Sequence, residues 1–288
     1  MKFERVLCPV DFSEISAAAL RTAGSLAKVL QSEVTVVHAQ RCEFPLYFTA
    51  AQTQELETQL RKSEQAARKY FEDFAARNLP VEIPRSYRFV EEEAVAAILR
   101  AADEIEADLI VMGTHGRTGW SRFRTGSVME GVLRQAQVPV LAVGPGASSG
   151  DSAAMREILC PVNFDPQSKA TLEVGVLVAR KTGARLTLLH VLDRKPESED
   201  TLKATEDRLC DWARADGSEG CSLRHVVRHG NAVQAIIEEA RNMDADLLVI
   251  GARPRPTLTS IMFGTTTEAL IRSAPCRVLV VPAGSGGA

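Results

Sequence analysis

The chain reads as an α/β protein of two tandem, doubly wound parallel-sheet domains, Rossmann-like, each five-stranded with strand order 3-2-1-4-5. Three observations predict this. The second half of the sequence repeats the first, short β-branched runs alternate with longer helical patterns in each half, and a glycine-rich loop joins a late apolar strand to a helix.

The repeat comes first because it sets the domain count. Arg5-Val-Leu-Cys-Pro-Val-Asp-Phe12 returns as Glu157-Ile-Leu-Cys-Pro-Val-Asn-Phe164, an offset of 152. Ala107-Asp-Leu-Ile-Val-Met-Gly113 returns as Ala245-Asp-Leu-Leu-Val-Ile-Gly251, an offset of 138, so the second copy is 14 residues shorter in between. His38 and His190 still match at the larger offset, which puts the deletion after them. A Gly/Ser-rich stretch separates the copies and reads as a flexible linker over 145–154, leaving domains at 1–144 and 155–288.

In the first copy, strands are expected near 4–10, 33–39, 81–89, 108–112 and 138–143. Ile15, Ala19, Ala23, Leu26, Ala27 and Leu30 fall on one helical face with Ser13 as N-cap; a second helix fits 51–77. Ala94, Val95, Ile98, Ala102 and Ile105 give a third helix, its start made acidic by Glu91, Glu92 and Glu93, which suits the positive end of the helix dipole. A fourth begins at Ser127.

Bulk composition narrows the function classes. Residues 1–144 carry 17 Lys and Arg against 19 Asp and Glu, the remainder 17 against 18, so neither half has the basic excess of a nucleic-acid binder. No apolar run approaches the roughly 20 residues of a membrane span, and the charged start does not suit a signal peptide. A cytoplasmic protein without membrane or nucleic-acid partners is expected. The six cysteines show no CxxC pair; Cys8 and Cys160, inside apolar runs, read as small buried hydrophobes.

The most informative segment is Gly113-Thr-His-Gly-Arg-Thr-Gly-Trp-Ser-Arg-Phe-Arg-Thr-Gly-Ser127. Phosphate oxygens need several converging N–H donors, and glycine lets the backbone approach without a Cβ in the way. Gly113, Gly116 and Gly126 supply that access, and Ser127 opens a helix whose unpaired amides favour an anion. Asp11 has two readings, a helix-entry cap or an acceptor for a ligand's base or ribose. His115 reads as a loop residue, because no partner carboxylate at fixed spacing makes it a general base. Arg117, Arg122 and Arg124 suit phosphate contact or simple solubility equally.

Gly113, two residues, Gly116, nine residues, then Gly126-Ser127 matches the G-x2-G-x9-G-(S/T) pattern of ATP-binding universal stress proteins, and Val6–Glu14 resembles that family's opening strand. The similarity extends over nearly the whole chain, twice. Carried over by position, the resemblance implies nucleotide contacts at Pro9, Val10, Asp11 and Ala39, then at Met112, Gly113, His115 and Gly116, then at Gly126, Ser127 and Val128. It implies ATP as the ligand, and a bound triphosphate would carry Mg or Mn. No catalytic residue and no protein metal site is assigned.

The second copy departs from the pattern. It reads Gly251-Ala-Arg-Pro254, nine residues, then Gly264-Thr265, and Asn163 replaces Asp11. Proline has no N–H and fixes φ, so Pro254 removes a donor and a freedom together. Weak or absent ATP binding follows there, with Gly264-Thr265 still able to hold a lone phosphate or another anion, leaving an architectural role. Family members associate through the last strand, here Val138–Val143 and Arg277–Val281, so a pseudo-dimer within one chain is expected, with homodimerisation as a further possibility. The leading expectation is a stress-response protein that signals by ATP occupancy; a slow ATP hydrolase and a nucleotide-free interaction scaffold are the alternatives. No Walker loop or GxGxxG after the first strand points elsewhere.

Overall fold

A computed structural model describes residues 2–40, 50–116, 126–145, 155–196, 198–215, 221–252, 254–257, 260–263 and 265–283. All of the expected linker over 145–154 but its first residue, the arginines 117, 122 and 124, Cys42 and Gly264 lie outside the described residues.

In the first half, β1 (Arg5–Pro9), β2 (Glu33–Ala39), β3 (Arg85–Val90), β4 (Leu109–Gly113) and β5 (Val140–Val143) alternate with α1 (Glu14–Leu30), α2 (Ala50–Asn78), α3 (Ala94–Glu104) and α4 (Ser127–Gln135). Each expected element is present. The largest boundary difference is in the third strand, which starts at Arg85 rather than 81, because Pro80 and Ile83 close a turn and Ile83 is buried beneath it. The Arg85 guanidinium donates to the carbonyls of Leu79 and Val81 and pins that turn.

The second half follows the same plan with β6 (Glu157–Pro161), α5 (Pro166–Thr182), β7 (Arg185–Leu192), α6 (Glu199–Ala215), β8 (Ser222–His229), α7 (Ala232–Asn242) and β9 (Leu247–Gly251). A hairpin of β10 (Pro254–Thr257) and β11 (Ser260–Phe263) comes next, then α8 (Thr265–Ser273) and β12 (Arg277–Val281). The helix α6 has 17 residues where α2 has 29, which locates most of the deletion.

The main sheet runs β3-β2-β1-β4-β5-β12-β9-β6-β7-β8. Both halves therefore have the 3-2-1-4-5 order, parallel throughout, and they meet where β5 and β12 pair antiparallel with Leu141 opposite Leu279. Helices α1, α2, α5 and α6 cover one face around Leu20, Phe71, Leu172 and Leu209. Helices α3, α4, α7 and α8 cover the other around Ile98, Met129, Ile236 and Leu270. Strands buried on both faces read as continuous apolar runs, as β4 and β9 do.

Two features recur at the repeat's fixed points. Asp108 accepts the main-chain N–H groups of Glu4 and Arg5 at 2.9 Å, and Asp246 those of Arg156 and Glu157 at 2.7 and 3.0 Å, so each tethers the start of its first strand. His38 Nδ1 donates to the Val10 carbonyl at 2.7 Å and His190 Nδ1 to that of Val162 at 2.9 Å, which holds the strand's exit against its neighbour. The following Phe12 and Phe164 adopt left-handed φ of 66° and 63°, strained for a bulky side chain. Packing of the partly buried rings compensates: Phe12 lies 4.3 Å from the His38 ring and Phe164 4.6 Å from that of His190, centroid to centroid. No described helix is long and apolar enough to cross a membrane.

Candidate functional site

The order of strands reverses between β1 and β4, and a parallel α/β sheet opens a crevice beyond the carboxyl ends of its strands at such a point. A cavity of about 270 Å³ lies there. All eleven expected positions line it: Pro9, Val10 and Asp11 from the exit of β1, and Ala39 from the end of β2. Met112, Gly113, His115 and Gly116 follow β4, and Gly126, Ser127 and Val128 enter α4.

The sequence reasoning missed Ser16, Val37, Thr114 and Met129, and the pair Ala94 and Ile98 on α3. The last two are one helical turn apart, a spacing that marked them as core-facing. That the first turn of this helix overhangs the strand ends depends on how it crosses the sheet.

The geometry separates the roles that spacing left open. Ser13, not Asp11, caps α1 by accepting from Ser16 N–H. Asp11 Oδ1 in turn accepts from the Ser13 amide at 3.1 Å and hydroxyl at 2.6 Å, so it buttresses the cap and turns Oδ2 toward the glycine loop. The loop's described glycines have φ in the ordinary negative range, and their requirement is space. A Cβ on Gly113 would meet Ile15 Cγ2 at 2.7 Å, and one on Gly116 would meet Asp11 Oδ2 at 2.6 Å.

The loop is strapped to the sheet by Thr114 N–H on the Val143 carbonyl at 3.0 Å and by Gly126 N–H on the Thr114 carbonyl at 2.8 Å. Helix α4 then begins with no side-chain cap, whereas α1, α3, α5 and α7 each have one. Its first-turn amides, Ser127 to Met129, border the cavity at the positive end of a dipole, without a hydrogen-bond partner among the described residues. His115 Nδ1 lies 2.9 Å from Thr114 Oγ1, and its buried Nε2 has no hydrogen-bond partner among the described residues. A buried ring nitrogen without a partner is costly unless a ligand completes it. Glu93 caps α3 through the amides of Val95 and Ala96, as an acidic helix start should.

In the second half the corresponding loop forms the β10–β11 hairpin although it carries two prolines. The register resolves it. Pro254 and Pro256 stand two apart, opposite Phe263 and Ile261, so both missing N–H groups fall at the same kind of position and the intervening Arg255 remains free to pair.

Fold and cleft together define a tandem α/β protein with a ligand-sized crevice at each strand-order reversal. The family model described as "Universal stress protein family" matches residues 2–144 and again 155–282. A universal stress protein from Mycolicibacterium smegmatis is 26% identical over 294 residues, covering 96% of either chain. The Na(+)/H(+) antiporter NhaS5 from Synechocystis sp. is 26% identical over 201 residues; the match covers 68% of this chain but only 28% of that relative's length. Among solved structures, a universal stress protein from Archaeoglobus fulgidus superposes with a TM-score of 0.70 at 23% identity, covering 99% of this chain and all of that one, a likeness of fold. The chain belongs to the universal stress protein family.

Proposed function

We propose that the N-terminal half binds ATP and that occupancy of this site, rather than fast chemistry, changes the surface the protein offers to partners during stress. One observation carries the reading: residues from three strand ends and the uncapped start of α4 converge on a single crevice at the β1–β4 reversal. In this reading the triphosphate lies over the α4 amides, which need an acceptor, and the base or ribose lies by Asp11 and Ala39, away from those charges. His115 Nε2 supplies a further hydrogen bond. Mg or Mn arrives with the phosphates. The β5–β12 pairing supports a second part of the proposal, that the chain works as a pseudo-dimer within one polypeptide, able to relay occupancy of one half to the other.

Mass spectrometry of the nucleotide that copurifies with the protein, followed by titration of the stripped chain with ATP, tests the reading. An adenine nucleotide is expected in the wild type and should be lost in Gly116→Pro, which puts a ring against Asp11 and removes an amide. Unchanged nucleotide content in that variant would overturn it.

A further inference from the structure

The second half has its own cleft at the matching reversal, between β6 and β9, of about 510 Å³. Its backbone plan repeats that of the first half, but the chemistry of its lining does not. Where the first half carries Asp11, Ile15, Ala19, Val128 and Met129, the second carries Asn163, Gln167, Thr171, Thr266 and Thr267, and all five line the cleft. Four apolar side chains have become hydrogen-bonding ones, and the carboxylate has become an amide.

These groups are held in place with capacity to spare. Asn163 Oδ1 accepts from the Ser168 hydroxyl at 2.7 Å and its main-chain N–H donates to the same hydroxyl oxygen at 3.1 Å, which leaves the side-chain N–H groups of Asn163 without a partner among the described residues. Gln167 Nε2 donates to the Val281 carbonyl at 3.1 Å and Thr171 Oγ1 to the Gln167 carbonyl at 2.7 Å, so Gln167 Oε1 and the Thr171 oxygen stay available as acceptors. The Thr266 and Thr267 hydroxyls make no hydrogen bond among the described residues, although Thr267 is only 6% exposed. The charged residue among the described lining is Asp165, whose Oδ1 is engaged on the Ser168 amide at 2.7 Å as the cap of α5. Leu189 and Val191 from β7 and Ala232 and Ile236 from α7 make the remainder apolar.

We infer that this cleft binds an uncharged, hydroxyl-bearing molecule with a flat apolar portion, a nucleoside rather than a nucleotide. Neutral donors and acceptors that are half-used match ribose hydroxyls, which both give and accept. An apolar lining from β7 and α7 suits a base. A phosphate would face the Asp165 carboxylate, with no cation among the described lining residues to offset it. The inference stands apart from the ATP reading of the first half.

Titrating the full chain, labelled at threonine methyls, with adenosine tests it. The Thr171, Thr266 and Thr267 signals should shift saturably, ATP should leave them in place, and Thr267→Met should weaken adenosine by about tenfold or more. Gln167→Ile should do the same by a second route should the first variant fold poorly, and the remaining threonine signals report whether each variant is folded. Adenosine that moves only Thr114, ATP that moves the second-half signals with equal affinity, or unchanged binding in both folded variants overturns the inference.

Discussion

Gly116 approaches Asp11 so closely that a Cβ on it would lie 2.6 Å from Oδ2. The second glycine of the loop and the acid at the end of the first strand, more than a hundred residues apart in sequence, are thus one steric unit. The second half alters both positions together, to Pro254 and Asn163, and there the loop leaves the strand end to form a hairpin.

Gly116→Ala should therefore weaken ATP by about tenfold, since the loop or the carboxylate must give way. Calorimetric titration beside Gly113→Ala, whose Cβ meets Ile15 instead, checks it. An unaltered affinity in Gly116→Ala would show that the close approach has no bearing on binding.

His115→Phe removes the ring nitrogen that lacks a partner while keeping the ring's bulk. Stability should stay within about 1 kcal/mol of wild type, because only the bond to Thr114 is lost, while nucleotide affinity falls about tenfold. Denaturant melts and ATP titrations separate the two effects, and full affinity in the variant would remove His115 from the site.

Across the junction, Leu141 and Leu279 face each other on β5 and β12, at 1% and 3% exposure. Either one replaced by Ala should cost about 2–5 kcal/mol, and the double variant should cost less than the sum by at least about 0.5 kcal/mol, since the pair shares one cavity. Strict additivity in a double-mutant cycle would mean that the halves are not packed through this pair.

Three buried thiols make stability depend on alkaline pH. Burial pushes Cys160 and Cys276 up from 9.0 to about 12, Cys276 with a smaller contribution from Asp246, and pushes Cys8 up strongly as well. A raised folded value means that the neutral thiol stabilises the fold fully below 9.0, and that this contribution is lost as pH climbs from there toward 12. Melting temperature should thus decline above pH 9.0, and Cys8→Ala combined with Cys160→Ala should flatten the decline. An equal slope in the double variant would assign the loss to other groups.

Much of the site was legible through the family resemblance, whose implied positions come in short runs, 9–11, 112–116 and 126–128, each tied to a strand end or helix start. Ala94 and Ile98 were legible only as core-facing. Nothing in their spacing says that the start of α3 overhangs the β1–β4 crevice, because helix position over a sheet is set by packing against distant partners such as Met129 and Leu133. The hairpin at 254–263 stayed hidden for a related reason: proline's exclusion from strands depends on which N–H positions the partner strand uses, and that register is a pairwise property.

By itself the sequence determined the two-fold repeat, the alternation of strands and helices, and the loop composition, all set by local periodicity and backbone stereochemistry. Only the tertiary structure decided that Asp11 braces Ser13 and abuts Gly116, that β5 and β12 join two sheets into one, and that the second cleft gathers the hydroxyls and amides of Asn163, Gln167, Thr171, Thr266 and Thr267. Those are contacts between residues remote along the chain, and they exist only once burial of the two core layers has brought the strand ends together.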